Sequence, residues 1–275
     1  MKSFFPDCHT HTRQSKDSNA TMRQYCERAI ALGVDYLAFT DHIDLDPLDV
    51  SYGYYDFDRA LNEFEDARAE FGDRIELAFG AEVSCQKSLF EDARKAIEGR
   101  PYDLVIGSVH ILDGMGGDIS SREGTPAIFE RHGAHAIFEK YLDEVEFSID
   151  CALFDVIGHI GILRRHGMKY LADFDMEPFE EQVGRTARKI VAAGIALEVN
   201  ASGIWQGPQE TYPSMDFVRR FMEYGGTRIT VGSDAHGLAN VGRCVPEVLE
   251  MLRQTGVKEI TVFRARKPRK EKIRF

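Results

Sequence analysis

Short apolar runs alternate with longer segments of helical periodicity along nearly the whole chain. The runs read as strands near 4–9, 36–41, 75–82, 103–109, 154–159, 195–200 and 228–233, with a further one near 259–264. Between them, apolar positions at helical spacing predict helices near 21–32, 58–70, 88–98, 127–147, 178–193, 214–224 and 245–254. Local punctuation agrees: Thr21 and Gln24 have capping-box spacing, and Gly33 supplies a stop. Strand–helix alternation repeated this often predicts an α/β fold on a parallel sheet, either open or closed into a barrel. No internal repeat or Ser/Pro-rich linker interrupts it, and the basic stretch 264–274 reads as a solvated tail.

The length of 275 residues allows one large α/β domain or two small ones. With 43% hydrophobic and 29% charged residues, the composition is that of a soluble globular protein, and no apolar run is long enough to span a bilayer. The first residues lack the extended apolar core of a signal peptide. Cys8, Cys26, Cys85, Cys151 and Cys244 are odd in number and show no CxxC spacing, which points to reduced thiols in a cytoplasm. A net charge of −11 would repel a nucleic-acid backbone. Carboxylates clustered around divalent cations would account for part of that charge, and an aid to solubility would account for it equally well.

The residues that close the strands carry the chemistry. In order these are Asp7-Cys8-His9-Thr10-His11, Thr40-Asp41-His42, Gly80-Ala81-Glu82, Gly107-Ser108-Val109-His110, Gly158-His159, Glu198-Val199-Asn200 and Gly232-Ser233-Asp234-Ala235-His236. Six of the nine histidines fall at these ends. His9 and His11, two apart on an extended segment, point to one side and could grip one ion. In α/β barrels and open sheets the loops after the strands converge on that edge, so the set predicts one site. Burying so many polar groups is costly unless they are paired or bind metals. Imidazole and carboxylate without thiolate suit Zn, Mn or Fe. Cys8 should point away from its histidine neighbours, into packing. His132, His135 and His166 read as surface residues, and Asp44, Asp46 and Asp49 as a solvated loop.

At these residues the chain resembles the PHP (polymerase and histidinol phosphatase) family, most closely its histidinol-phosphatase branch. The resemblance implies a distorted (β/α)7 barrel, a single domain over 1–275, with three divalent ions (Zn, Mn or Fe) at the C-terminal ends of the strands. One ion would take His9, His11, Glu82 and Asp234. A second would share Glu82 and add His110 and His159. A third would take His42, His236 and Asp17. Glu82, Asp234 and His236 would carry catalysis, and Arg164, Arg165 and His42 would face the substrate, with Arg164 the first candidate for the phosphate. One departure is clear: after Asn200-Ala201-Ser202-Gly203 this chain has Ile204-Trp205-Gln206, where many histidinol phosphatases have an Arg.

The resemblance therefore implies a cytoplasmic metal-dependent phosphomonoesterase acting on L-histidinol phosphate in histidine biosynthesis, through attack by a metal-bridging hydroxide. The partner expected is a small phosphorylated substrate, with no nucleic acid and no membrane. A PHP-type phosphodiesterase or exonuclease, a phosphotyrosine phosphatase and a non-catalytic metal-stabilised scaffold are the alternatives. The acidic balance counts against the exonuclease, and the intact ligand positions count against the scaffold.

Overall fold

The computed structural model describes residues 4–273. Eight parallel strands form the main sheet: β1 (Pro6–Asp7), β2 (Tyr36–Phe39), β3 (His42–Ile43), β4 (Glu76–Ser84), β5 (Leu104–Ser108), β6 (Val156–Ile157), β7 (Ala196–Asn200) and β8 (Ile229–Gly232). Their order is β1-β2-β4-β5-β6-β7-β8, with β3 also paired to β4. The sheet closes on itself through backbone bonds beyond the formal strand ends. Cys8 N–H donates to the Val231 carbonyl (3.0 Å), Asp234 N–H to His9 (2.9 Å) and His11 N–H to Ala235 (2.9 Å). The result is a barrel of seven staves, the fold that the strand–helix alternation and the resemblance imply.

Outside it pack α1 (Met22–Leu32), α2 (Phe57–Phe71), α3 (Phe90–Ile97), α4 (Gly124–His132), α5 (Ala134–Asp150), α6 (Arg164–Gly167), α7 (Glu180–Ala193), α8 (Met215–Glu223) and α9 (Val245–Gln254). The strands are buried on both faces, as staves between a filled interior and a helix layer must be. The predicted cap of α1 is present: Thr21 and Gln24 bond reciprocally, and Gly33 takes the left-handed conformation that ends the helix. No helix among the described residues is long and apolar enough to cross a membrane.

Three expectations are corrected. The strand expected at 36–41 is two pieces. Asp41 keeps a backbone bond to β4, its carbonyl accepting from Glu82 N–H at 3.1 Å, while its side chain accepts from Thr12 N–H (2.6 Å) and from the Thr12 and Ser15 hydroxyls (2.9 and 2.8 Å). The helix expected at 127–147 is broken at Gly133, whose φ of 78° and ψ of 156° no helical residue adopts. The basic tail is a hairpin of β9 (Glu259–Arg264) and β10 (Lys267–Lys272), antiparallel in register Arg264 opposite Lys267. Its arginines are held by partners at the foot of the barrel: Arg264 by Asp103, Arg266 by Asp155 and Arg269 by Glu76. Arg274 lies outside the described residues.

Candidate metal centre

Parallel strands all deliver their last residues to the same rim, so the residues that close the staves meet around one axis. A recess of about 210 Å³ opens there, lined by Asp17, His42, Asp44, Asp49, Glu82, His110, Asp118, His159, Arg165, Asp234 and His236 among others. His9 and His11 lie fully buried beneath it. Close approach of β8 to β1 requires the Gly before Ser233. A Cβ on Gly232 would stand 2.4 Å from the His9 Cβ and 3.1 Å from Glu198 Oε1. Asp234 takes a positive φ of 55°, a conformation that Asp tolerates better than most residues.

The donor atoms face one another. His9 Nε2 is 3.0 Å from His11 Nε2, His42 Nε2 is 3.2 Å from His236 Nε2, and His110 Nε2 is 3.5 Å from His159 Nε2. Glu82 Oε2 lies 3.4 and 3.5 Å from His9 and His11 Nε2, and its other oxygen lies 2.6 and 3.4 Å from His159 and His110 Nε2. Asp234 Oδ1 is 3.8 and 3.4 Å from His9 and His11 Nε2. Asp17 Oδ2 stands 3.1 Å from His236 Nε2 and 3.8 Å from His42 Nε2. The nine residues expected as ligands are therefore brought together, and Glu82 lies between two groups of imidazoles.

The far ring nitrogens explain why the near ones converge. His11 Nδ1 is 3.2 Å from Ser15 Oγ, whose own proton goes to Asp41. That hydroxyl must accept from His11, leaving the Nε2 lone pair free. His236 Nδ1 lies 3.0 Å from the Asp234 carbonyl, which can only accept. His110 Nδ1 faces Asp44 Oδ1 at 3.3 Å, and His9 Nδ1 faces Glu198 Oε1 at 2.6 Å. Four imidazoles are thus aimed by acceptors behind them.

Electrostatics follow from that crowding. Burial opposes charge on His9, but Glu198, Glu82 and Asp234 outweigh it and hold the imidazole well above its usual value. His42 is pushed up to about 10, because Asp44 and Glu82 outweigh its burial. His11, buried and flanked by His42 and His236, is driven well down. Glu82 stays well below the carboxylate range despite burial, because four imidazoles surround it. Asp17 is likewise lowered against burial by His236 and His42.

Divalent cations fit this donor set. Lone pairs 3.0–3.5 Å apart repel unless positive charge sits between them. Two imidazole nitrogens each ~2.0–2.1 Å from one tetrahedral ion would stand ~3.3–3.4 Å apart, close to the spacing seen. Glu82 Oε2 and His42 Nδ1 stand 2.9 Å apart as an ion-pair contact, so the one carboxylate is shared among imidazoles on several sides.

Other expectations divide. Cys8 is buried, with its thiol pushed up by burial and by Asp7, so it packs as expected. His132, His135 and His166 lie outside the cluster. Asp44 corrects the solvated-loop reading: β3 pairs with β4 and carries it in beside His110, only 5% exposed. Asp49 lines the recess too, while Asp46 accepts from the Gln86 amide at 2.8 Å. Arg165, rather than Arg164, faces the site, its Nη2 3.2 Å from Asp234 Oδ2 and its Nε 2.8 Å from Gln206 Oε1. Arg164 points the other way, to Glu210 in a separate cavity. Trp205 is not among the residues lining the recess, and its ring lies 4.4 Å beneath the Arg243 guanidinium.

Known proteins bear on this arrangement. A protein of Deinococcus radiodurans named probable histidinol-phosphatase is 28% identical over 271 residues, spanning 95% of this chain and 97% of its own length. The histidinol-phosphatase of Lactococcus lactis is 25% identical over 268 residues, covering 97% of both chains. A crystal structure of histidinol phosphate phosphatase from Lactococcus lactis, complexed with zinc, L-histidinol and phosphate, superposes with a TM-score of 0.77 at 20% identity and covers 96% of this chain and 98% of that one. The PHP domain family model matches residues 7–202, well over half of the chain and every ligand candidate from His9 to His159, and the chain belongs to that family.

Proposed function

We propose that this chain is a metal-dependent phosphomonoesterase that hydrolyses L-histidinol phosphate to L-histidinol and phosphate, working as one PHP domain over 1–275. The observation that carries the reading is the convergence of six imidazoles, Glu82, Asp234 and Asp17 on one recess with Arg165 in its wall. The names and near full-length coverage of the relatives support the choice of substrate. Three ions are assigned as the resemblance implies: His9, His11, Glu82 and Asp234 for one, Glu82, His110 and His159 for another, and His42, His236 and Asp17 for the third. Zn, Mn and Fe all suit imidazole and carboxylate donors.

Bound there, such ions supply the Lewis acidity that makes water nucleophilic at neutral pH and offsets phosphoryl charge. The chain's own groups do the rest. Arg165, braced by Gln206 and Asp234, offers a guanidinium fork to phosphate oxygens. Asp49 and Asp118, in the same recess, put negative charge where a cationic alcohol can be recognised. The hydroxyls and thiol closest to the ligand candidates are not free to act as covalent nucleophiles. Cys8 is buried, and the hydroxyls of Ser108 and Ser15 are spent on Glu82 (2.5 Å) and Asp41 (2.8 Å).

A panel of L-histidinol phosphate, phosphotyrosine and a phosphodiester tests the proposal, assayed by kcat/KM on metal-reconstituted protein. Histidinol phosphate should lead. A diester at the head would replace the reading with the exonuclease-like one.

A further inference from the structure

Glu198 stands two residues before the end of β7, yet it does not line the recess and is not among the expected ligands. Its side chain is 1% exposed. Oε1 lies 2.6 Å from His9 Nδ1, and Oε2 accepts the backbone N–H of His159 at 2.6 Å. In the ion assignment that the resemblance implies, those two residues serve different ions, His9 with His11 and Asp234, His159 with His110, and both lie beside the shared Glu82. Glycines leave room for the carboxylate on both sides. The position of a Gly232 Cβ is 3.1 Å from Oε1, and that of a Gly158 Cβ is 3.6 Å from Oε2.

We infer that Glu198 is a positioning residue that fixes the His9 tautomer and the His159 backbone at once, locking two metal-ligand groups into one register. This rests on the metal reading given above. His159 N–H can only donate. His9 must present a lone pair at Nε2 to bind a cation, so its proton sits on Nδ1 and it too donates. Two donors at opposite oxygens need two acceptors, which a carboxylate has and an amide lacks.

Glu198→Gln therefore forces a choice. If the amide oxygen accepts from His159, the amide NH₂ faces His9 Nδ1, which must then accept. The ring proton moves to Nε2, and the lone pair no longer meets the cation. If the amide is turned over, its NH₂ opposes the His159 N–H, and that donor is left unpaired. Neither arrangement keeps both residues as they stand. Deleting such outer partners typically weakens metal affinity by roughly 10–100-fold.

The test is metal affinity, independent of turnover. Wild type and Glu198→Gln are stripped of metal, checked for fold by circular dichroism, and titrated with zinc against a chromophoric chelator. The expected result is a roughly 10–100-fold loss of affinity for the tightest sites in Glu198→Gln, with the stripped protein still folded. Equal stoichiometry and affinity within twofold of wild type would overturn the inference while leaving the metal reading intact. A wild type that takes up no zinc would overturn both. Should Glu198→Gln fail to fold, ¹⁵N-histidine spectra of zinc-loaded wild type decide the matter. A protonated Nδ1 and a metallated Nε2 on His9, assigned by loss of the signals in His9→Gln, support the inference, and the opposite tautomer refutes it.

Discussion

The two ends of this barrel handle charge in opposite ways. At the foot, carboxylates meet guanidinium groups, and two of them also accept backbone N–H groups. Asp103 accepts from Ala265 N–H (2.8 Å), Phe79 N–H (3.0 Å) and Arg264 (3.3 Å). Asp155 accepts from Val105 N–H at 2.8 Å and pairs with Arg266. Arg269 grips Glu76 through two nitrogens, at 3.1 and 2.7 Å. At the rim, carboxylates face imidazoles, and ring nitrogens confront one another at 3.0–3.5 Å. The foot is electrostatically complete with its own residues, and the rim needs cations to become so. One end is built to hold the barrel together and the other to bind.

Breaking the comparison at the rim should have the largest effect. Glu82→Gln removes the charge between two groups of imidazoles, and an amide cannot offer both oxygens to cations. Turnover should fall by more than the roughly 10–100-fold that outer-partner changes cost, with the melting curve of the metal-free protein still cooperative. Kinetics on histidinol phosphate with matched metal loading would check it, and near-normal kcat would show that Glu82 does not bridge.

Arg165→Ala should come next. Losing one charge-assisted contact to phosphate costs about 1.5–3 kcal/mol, or roughly ten- to a hundredfold in kcat/KM. Arg164→Ala should leave kcat/KM within about twofold, since its partner is Glu210. The reverse ranking would contradict the orientation of this pair.

The foot should show the complementary pattern. Asp103→Ala strands two backbone donors and a guanidinium, at a cost of about 1–3 kcal/mol in unfolding free energy. Turnover measured well below the melting temperature should not change. A loss of activity at unchanged stability would mean that the two ends are coupled.

Protonation sharpens the contrast further. In metal-stripped protein, His42 is raised from the usual range to about 10. A raised histidine gives stability that is complete below its unfolded value, near 6.5, and that is lost as pH climbs through about 10. The melting temperature of the stripped protein should therefore decline over that window. Metal-loaded protein should decline less, because cations take the place of the protons. Parallel curves would count against shared occupancy of the site by protons and metals.

Much of the rim was legible in the sequence because position along a parallel strand maps directly onto height in the barrel. His9, Glu82, His110, His159 and Asp234 all lie within two residues of the C-terminal end of a strand, so their meeting follows from topology. Asp44 was not legible. Nothing in Ile43-Asp44-Leu45 says that two residues would rejoin the sheet beside β4 and bury the carboxylate against His110. Nor could adjacent arginines be ranked, because a one-residue step on the short α6 decides which one faces Asp234 and which one Glu210. The hairpin hid within a run of basic residues whose acidic partners, Glu76, Asp103 and Asp155, lie far away in the sequence. Glu198 stood in plain view at a strand end, but only the distances reveal that it bridges two ligands.

Divalent cations should complete the rim and enable it to hydrolyse phosphomonoesters. This is tested most directly by stripping the protein with a chelator, restoring Zn, Mn or Fe, and measuring bound metal alongside hydrolysis of L-histidinol phosphate. Activity should vanish on stripping and return with uptake of up to three ions per chain. Activity that survives the chelator in protein carrying no transition metal would contradict this.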